Sequence, residues 1–481
     1  RRMSSDIGIY GLTSQGINLA LNMASKGLLV TVGNKSSDKI KECTDLAEKD
    51  DLEEKVRGIK DPEEFCKNLK TPRVVLFLAR NGSSIDRNIQ KVVPFMEAGD
   101  IVVDGSTDSV AEYARRAEDM QEKGVQYITM GIAGSDTDAR KGPAFLVSGP
   151  QEAYAAVEPL LTKVAAAVDE HPCVARVGEG SAASYAKMIC DSIEIGECQL
   201  LAEAYDVMRH ARLSNQEMAD TFAEWNKTEQ ESYLLDITST ILLKKDSDVD
   251  GCKPSDAFLV DRIQDQAPAK RSGVDTLAES VAERCDVSIV ADAIYARYAS
   301  IDKDARRKIT NVLKAPKFDW AHLDLQAVLQ DQLHAYACAR LVLYAQAFSL
   351  LAAASAQHEW KVDLAAVARV LRGGCVIRCA LLKKIATVFE KAPELENLLL
   401  AEEVGKELAA QQAAWRRVCT LTVVAGITAS THMAALAYVD SYRCGRLPSA
   451  LIQCLRDATM GEGFERLDKE KGQMFSCRWN K

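Results

Sequence analysis

The sequence lacks most of the features that would name a function at a glance. Among 481 residues there are fourteen cysteines but no CxxC pair, and the nearest candidates, Cys375 and Cys379, stand four apart. No Cys/His spacing of zinc type follows, so the thiols scattered from Cys43 to Cys477 read as free, mostly buried and held in a reducing compartment. The six histidines, His171, His210, His322, His334, His358 and His432, fall at no metal or triad spacing. Excess positive charge is absent too. A formal net charge of -9 argues against general nucleic-acid binding, although a local anion site stays open. No apolar run approaches the roughly 18 uncharged residues of a membrane span, and no secretory leader is evident. The expected location is therefore the cytoplasm, with an organelle as the alternative, because the opening Arg1-Arg2-Met3 leaves the true start undefined.

What is present is ordinary globular material, 47% hydrophobic and 27% charged, in a chain long enough for two or three domains. IGIYG, LLVTV, RVVLFLA, DIVVDG and VQYITMGI read as buried parallel strands. Helical patterns lie between them, such as INLALNMASKG, closed by Gly27. This alternation predicts a doubly wound, Rossmann-like α/β domain over residues 1–178. Beyond it the β runs disappear. ECQLLAEAYDVMRHARL and LHAYACARLVLYAQAFSLLAAASA keep helical periodicity, which predicts an all-helical domain over 179–442. Within it KKDSDVDGCKPSD (244–256) and QDQAPAKRSG (264–273) read as loops. EGFERLDKEKGQMFSCRWNK loses periodicity, so 443–481 is expected to end as an extended tail whose Met474, Phe475 and Trp479 pack on a partner subunit.

GLTSQG, Gly11 to Gly16, follows the first strand and opens the first helix, the context that a dinucleotide fingerprint requires. Gly11 permits the tight turn and Gly16 the close helix-strand packing. Thr13 stands where a glycine normally lets the backbone approach the pyrophosphate, so a plain strand-to-helix turn stays open as a reading. After the second strand no Asp or Glu occupies residues 33–37. Asn34, Lys35, Ser36 and Ser37 stand there instead, and a cation among small polar groups suits a 2′-phosphate, hence NADP over NAD; a polar loop is the plainer alternative.

AKMICDSIEIGE (186–197) carries Lys187, Cys190, Asp191 and Glu194. At about 100° per residue, seven steps return a side chain to within about 20° of its start, so these four share one helix face. By itself that pattern is a solvent-facing stripe. More of the chain is needed to make it a site.

The chain resembles the 6-phosphogluconate dehydrogenases, decarboxylating NADP-dependent enzymes of the pentose phosphate pathway. The resemblance runs end to end through IGIYGLTSQGINLALNMASKG, VGNKSSDK, GDIVVDGSTD, GIAGSDTDARKGPAFLVSGP, YAKMICDSIEIGECQLLAEAYD, LRGGCVIR and RLPSALIQCLRD. It implies a homodimer built through the helical domain, with each tail reaching the other subunit. It also implies that Lys187 is the base that takes the proton of the substrate's 3-hydroxyl, and Glu194 the acid that protonates the enediol after carbon dioxide is lost. Arg297 and Arg456 match anion-binding positions for the substrate phosphate, the second supplied by the partner's tail, and Lys270 matches a phosphate-binding lysine in a shortened loop. Ala133, Gly134 and Ser135 match the cradle for the substrate carboxylate. Gly11, Thr13, Ser14, Gln15, Gly16, Asn34, Lys35, Ser36, Ala79 and Thr107 match cofactor-lining positions.

Several of these positions depart from the family. Thr107 replaces an asparagine, AGSDTDAR replaces a serine and two glycines followed by paired glutamates, Cys190-Asp191 replaces His-Asn, Ile195 a tyrosine and Glu462 a histidine. Asp191, one turn from Lys187, is expected to favour the ammonium form and to repel the substrate carboxylate, and Glu462 to repel the phosphate. Two readings follow. The chain is a working oxidoreductase of this family, or a catalytically degraded homologue kept as a structural or ligand-binding subunit.

Overall fold

A computed structural model describes residues 4–79, 82–251 and 255–479. Arg1, Arg2 and Met3, together with Cys252, Lys253 and Pro254 of the expected 244–256 loop, lie outside the described residues. The first domain is an eight-stranded sheet in the order Val174–Gly178, Ala144–Ser148, Gln126–Ala133, Ile101–Asp104, Val74–Phe77, Ile7–Tyr10, Val30–Gly33, Val56–Gly58. Neighbours run parallel except Gln126–Ala133 against Ala144–Ser148. Ile7–Tyr10, Val30–Gly33, Val74–Phe77 and Ile101–Asp104 are buried at every residue, which is why each shows an unbroken apolar run rather than alternation. All five expected strands are present. Three other strands of this sheet were missed, among them Ala144–Ser148, whose antiparallel pairing makes the sheet mixed rather than wholly parallel.

The first helix, Ser14–Ser25, is capped by Thr13 and stops where Gly27 takes φ +86°. Further on, the helix Ala182–His210 forms the spine of the second domain. It packs so tightly on the strand Gln126–Ala133 that a Cβ on Gly131 would lie 2.7 Å from both the Ala183 carbonyl oxygen and Lys187 Cβ. That contact fixes Lys187 against the sheet.

Around this spine stand Arg271–Ala282, Ser288–Ile301, Leu325–Gln357, Glu402–Ala425 and Ser430–Tyr442. Leu325–Gln357 corrects the expectation that no run is long and apolar enough to cross a membrane; its most apolar window is 83% buried inside the protein, so it serves as a core helix. The loop expected over 264–273 ends earlier, because the helix begins at Arg271. The tail is less extended than its lost periodicity implies: the helix Ser449–Met460 is followed by an antiparallel pair, Phe464–Glu465 with Met474–Phe475. Asp457 ties them together, accepting from Gly463 N (2.9 Å), Ser476 Oγ (2.8 Å), Cys477 N (3.0 Å) and Trp479 Nε1 (2.7 Å). Trp479 thus packs on its own tail.

Candidate active site

The turn between the first strand and first helix has the shape expected of a phosphate loop. Gly11 takes φ +103°, and a Cβ there would lie 1.9 Å from the Leu78 carbonyl oxygen, so no other residue fits without moving the backbone. A Cβ on Gly16 would lie 3.1 Å from both the Gly11 carbonyl oxygen and Leu78 Cδ1. Thr13 projects its hydroxyl inward, where Oγ1 accepts from Gly16 N at 3.1 Å. One of the amides that would receive an anion at this helix end is therefore already capped by the chain. Ser14 Oγ donates to Asp136 Oδ2 at 2.6 Å, which brings a carboxylate to the same loop. Gln15 is half-buried. At the end of the second strand Lys35 is exposed, with Asn34 and Ser36 half-buried beside it, and no acidic side chain intervenes. These groups fit a 2′-phosphate. Ala79, half-buried, and Thr107, exposed, follow the ends of the strands Val74–Phe77 and Ile101–Asp104.

Lys187, Asp191 and Glu194 emerge from the spine helix with side chains 22%, 23% and 18% exposed, so they are not a solvated stripe. Cys190 does not share their setting: it is 4% exposed in the core. Ile195 is fully buried against Gly273 and Ile294, and offers a substrate nothing. Lys187 Nζ donates to Asp191 Oδ1 at 2.7 Å. Burial would push Lys187 down, but Asp191 first, with Cys190 and Glu194 adding, holds its ammonium above the usual lysine range. Glu194 Oε1 accepts from Lys270 Nζ at 2.5 Å. Cys198 is pushed up to about 11 chiefly by burial, with Glu194 and Glu197 adding and Arg297 and Lys270 opposing.

At the three residues matched to a carboxylate cradle, the donors of Ser135 are taken by the chain itself. Gly134 takes φ +108°, and a Cβ there would lie 2.5 Å from the Gly374 carbonyl oxygen. Ala133 is fully buried. Ser135 caps the short helix Asp136–Lys141, with its N–H donating to Asp138 Oδ2 at 2.8 Å and its hydroxyl to the same oxygen at 2.7 Å. Both Ser135 donors are spent on Asp138, which in turn lies 3.6 Å from Arg378. Asp136 and Asp138 are the site residues that sequence reasoning missed. The signal was legible, since Ser135-x-x-Asp138 spells a capping box.

Arg456 stands apart from the cleft within a single chain. Its partners among the described residues are Gln453, at 3.4 Å, and Glu462, which forms an ion pair with it. Glu462 therefore neutralises the arginine rather than standing alone against a phosphate.

Comparison with known proteins agrees with this layout. The profile of the NAD binding domain of 6-phosphogluconate dehydrogenase matches residues 6–178, and that of the 6-phosphogluconate dehydrogenase C-terminal domain matches 183–479. The spinach "6-phosphogluconate dehydrogenase, decarboxylating 1" is 37% identical, covering 96% of this chain and 95% of its own. The Bacillus subtilis "6-phosphogluconate dehydrogenase, NADP(+)-dependent, decarboxylating" is 36% identical over 99% of both chains. The solved Plasmodium falciparum 6-phosphogluconate dehydrogenase, studied in apo form and in complex with NADP+ and with 6-phosphogluconate, superposes with a TM-score of 0.93 at 33% identity, covering 98% of this chain and 100% of its own. The chain belongs to the 6-phosphogluconate dehydrogenase family.

Proposed function

We propose that the chain carries out the reaction for which its relatives are named, the oxidative decarboxylation of 6-phosphogluconate with NADP. One observation supports this above the others: Lys187 and Glu194 leave the same helix two turns apart, with Lys270 paired to Glu194. Bound NADP supplies the hydride acceptor, and Gly11, Thr13 and Gly16 would face its pyrophosphate, with Asn34, Lys35 and Ser36 at its 2′-phosphate.

Lys187 can remove a hydroxyl proton only as the free amine, so its bond to Asp191 must first be broken or weakened. Glu194 can deliver a proton to carbon only as the acid. Lys270, now on Glu194, opposes that by favouring the carboxylate. A substrate phosphate drawn to Lys270 and Arg297 would remove the lysine from Glu194 and release it to take up a proton. Binding would thereby prepare the acid.

The second reading, a ligand-binding or structural subunit without turnover, is supported by three contacts. Asp191 holds Lys187, Asp138 holds Ser135 and Glu462 holds Arg456, so the groups that would meet substrate are each satisfied within the chain. The deciding experiment follows NADPH absorbance with purified protein, 6-phosphogluconate and NADP beside the Lys187→Ala variant. A rate above that control carries the enzyme reading. Without it, a saturable NADP titration assigns ligand binding, and none assigns a structural role. Assembly as a homodimer is part of the proposal, because the tail helix leaves Leu451, Ile452 and Leu455 65%, 59% and 56% exposed.

A further inference from the structure

The strand Ile101–Asp104 runs out into the turn 104–108, where Thr107 stands exposed. The residues on either side of it are fixed. Asp104 Oδ1 accepts from Ser106 N at 2.9 Å and from Ser106 Oγ at 2.6 Å, while its Oδ2 accepts from the Tyr127 hydroxyl at 2.7 Å. The Tyr113 hydroxyl donates to the Ser106 carbonyl oxygen at 2.7 Å and accepts from Asp108 N at 3.0 Å. One tyrosine thus brackets Thr107 on both sides.

Arg116 ties this turn to the loop before it. It leaves the helix Val110–Gln121, is 1% exposed, and donates from Nη1 to Asp104 Oδ2 at 3.3 Å and from Nη2 to Asp108 Oδ2 at 2.5 Å. Nη2 also reaches the Gly82 carbonyl oxygen at 3.4 Å, and Nε donates to Asp86 Oδ1 at 2.8 Å, both on the helix Gly82–Val92 that follows Ala79 in the chain. The two loops touch directly, since a Cβ on Gly82 would lie 2.0 Å from Asp108 Oδ2. A single guanidinium therefore sets the turn of Thr107 against the start of the helix beyond Ala79.

Stability alone is a poor account of this cluster. Desolvation offsets the attraction within a buried group of ions, so what such a group contributes is chiefly the conformation it fixes. Here that conformation is the one around Thr107. On the cofactor placement given above, with the 2′-phosphate at Asn34, Lys35 and Ser36, we propose that Arg116, Asp108 and Tyr113 are positioning residues that hold Thr107 for the end of NADP remote from that phosphate. Asn34 to Ser36 follow the strand Val30–Gly33, which three strand spacings, about 14 Å, separate from Ile101–Asp104 in the sheet. Adenosine 2′,5′-bisphosphate keeps the 2′-phosphate but lacks the half of the cofactor that would span this distance.

Fluorescence titration of the whole chain with NADP and, separately, with adenosine 2′,5′-bisphosphate tests the assignment. Asp108→Ala is expected to weaken NADP about tenfold and Tyr113→Phe about threefold, with the bisphosphate unchanged and circular-dichroism melts unshifted. Arg116→Lys keeps the charge but loses the planar fork, and should also weaken NADP about threefold. On a Thr107→Ala background the loss from Asp108→Ala should fall below about twofold, because the two residues act through one contact. Unaffected NADP binding, equal weakening of both probes, or losses that add in the double variant would each overturn the proposal. Tyr113→Phe leaves every charge in place, so it carries the test if Asp108→Ala fails to fold. NADP binding that follows this pattern without 6-phosphogluconate turnover would remove the reaction proposed above and leave the three positioning residues standing.

Discussion

At Lys187 two influences compete, and their balance decides whether the residue can act. Burial is the largest single influence and favours the neutral amine, but Asp191 at 2.7 Å, together with Cys190 and Glu194, raises the lysine above its ordinary 10.5. A raised lysine is protonated at neutral pH, so the active base appears only as pH rises. Asp191→Asn removes the charge but keeps the shape; it is expected to lower the pKa on the rising limb of the pH-rate profile by about one unit, and to increase the rate at neutral pH about tenfold. A profile that coincides with the wild type would show that Asp191 does not control the base. Thr13 poses a smaller version of the same question. Thr13→Gly frees the Gly16 amide, so NADP titration by fluorescence should show about threefold tighter binding, at a cost of about a few tenths of a kcal/mol in helix capping. The sequence marked both positions as suspect, because charge and bulk belong to the residue. It could not show that Lys270 reaches Glu194, which depends on how the helix Arg271–Ala282 meets the spine helix.

Elements are held together by buried polar groups that periodicity does not reveal. The helix Ser430–Tyr442 has no side-chain cap of its own; Glu203 of the spine helix reaches across and accepts from Thr431 N (3.0 Å), His432 N (3.2 Å) and His432 Nδ1 (2.8 Å). Burial alone would raise Glu203, but His432 and Thr431 bring it below its ordinary 4.5. A carboxyl lowered in the folded state contributes fully above the ordinary value, and that contribution is lost as pH falls through the depressed one. Glu203→Gln is thus expected to destabilise the helical domain by about 2–4 kcal/mol in urea unfolding at neutral pH, with the gap from wild type narrowing once pH drops below 4.5. An unchanged gap at acid pH would mean that the carboxylate charge is not what matters. The same burial explains Cys190. Helical spacing puts it on the Lys187 face, but the spine helix is surrounded, so that face is divided between cleft and core.

For the whole molecule, the tail is the part that a single chain leaves unexplained. Its helix Ser449–Met460 shows Leu451, Ile452, Leu455 and Met460 to solvent, and Arg456 has only Gln453 and Glu462 for partners among the described residues. A chain lacking residues 443–481 should sediment as a monomer while the full chain sediments as a dimer, and a dimer that survives the deletion would place the main interface elsewhere. The domain order was legible in the sequence, because buried parallel strands are continuous apolar runs and buried helices keep their period over many turns. Val56–Gly58, of three residues, and Ala144–Ser148, which pairs antiparallel in an otherwise parallel sheet, fell below that signal. The sequence by itself determined the two-domain architecture, the phosphate-loop context of Gly11 and Gly16, and the spacing of Lys187 and Glu194, since each follows from local order along the chain. Only the tertiary structure decided that Glu194 is held by Lys270 and that Glu203 caps the helix Ser430–Tyr442. Such pairings depend on side-chain reach and on which elements meet, and neither is written in the order of residues.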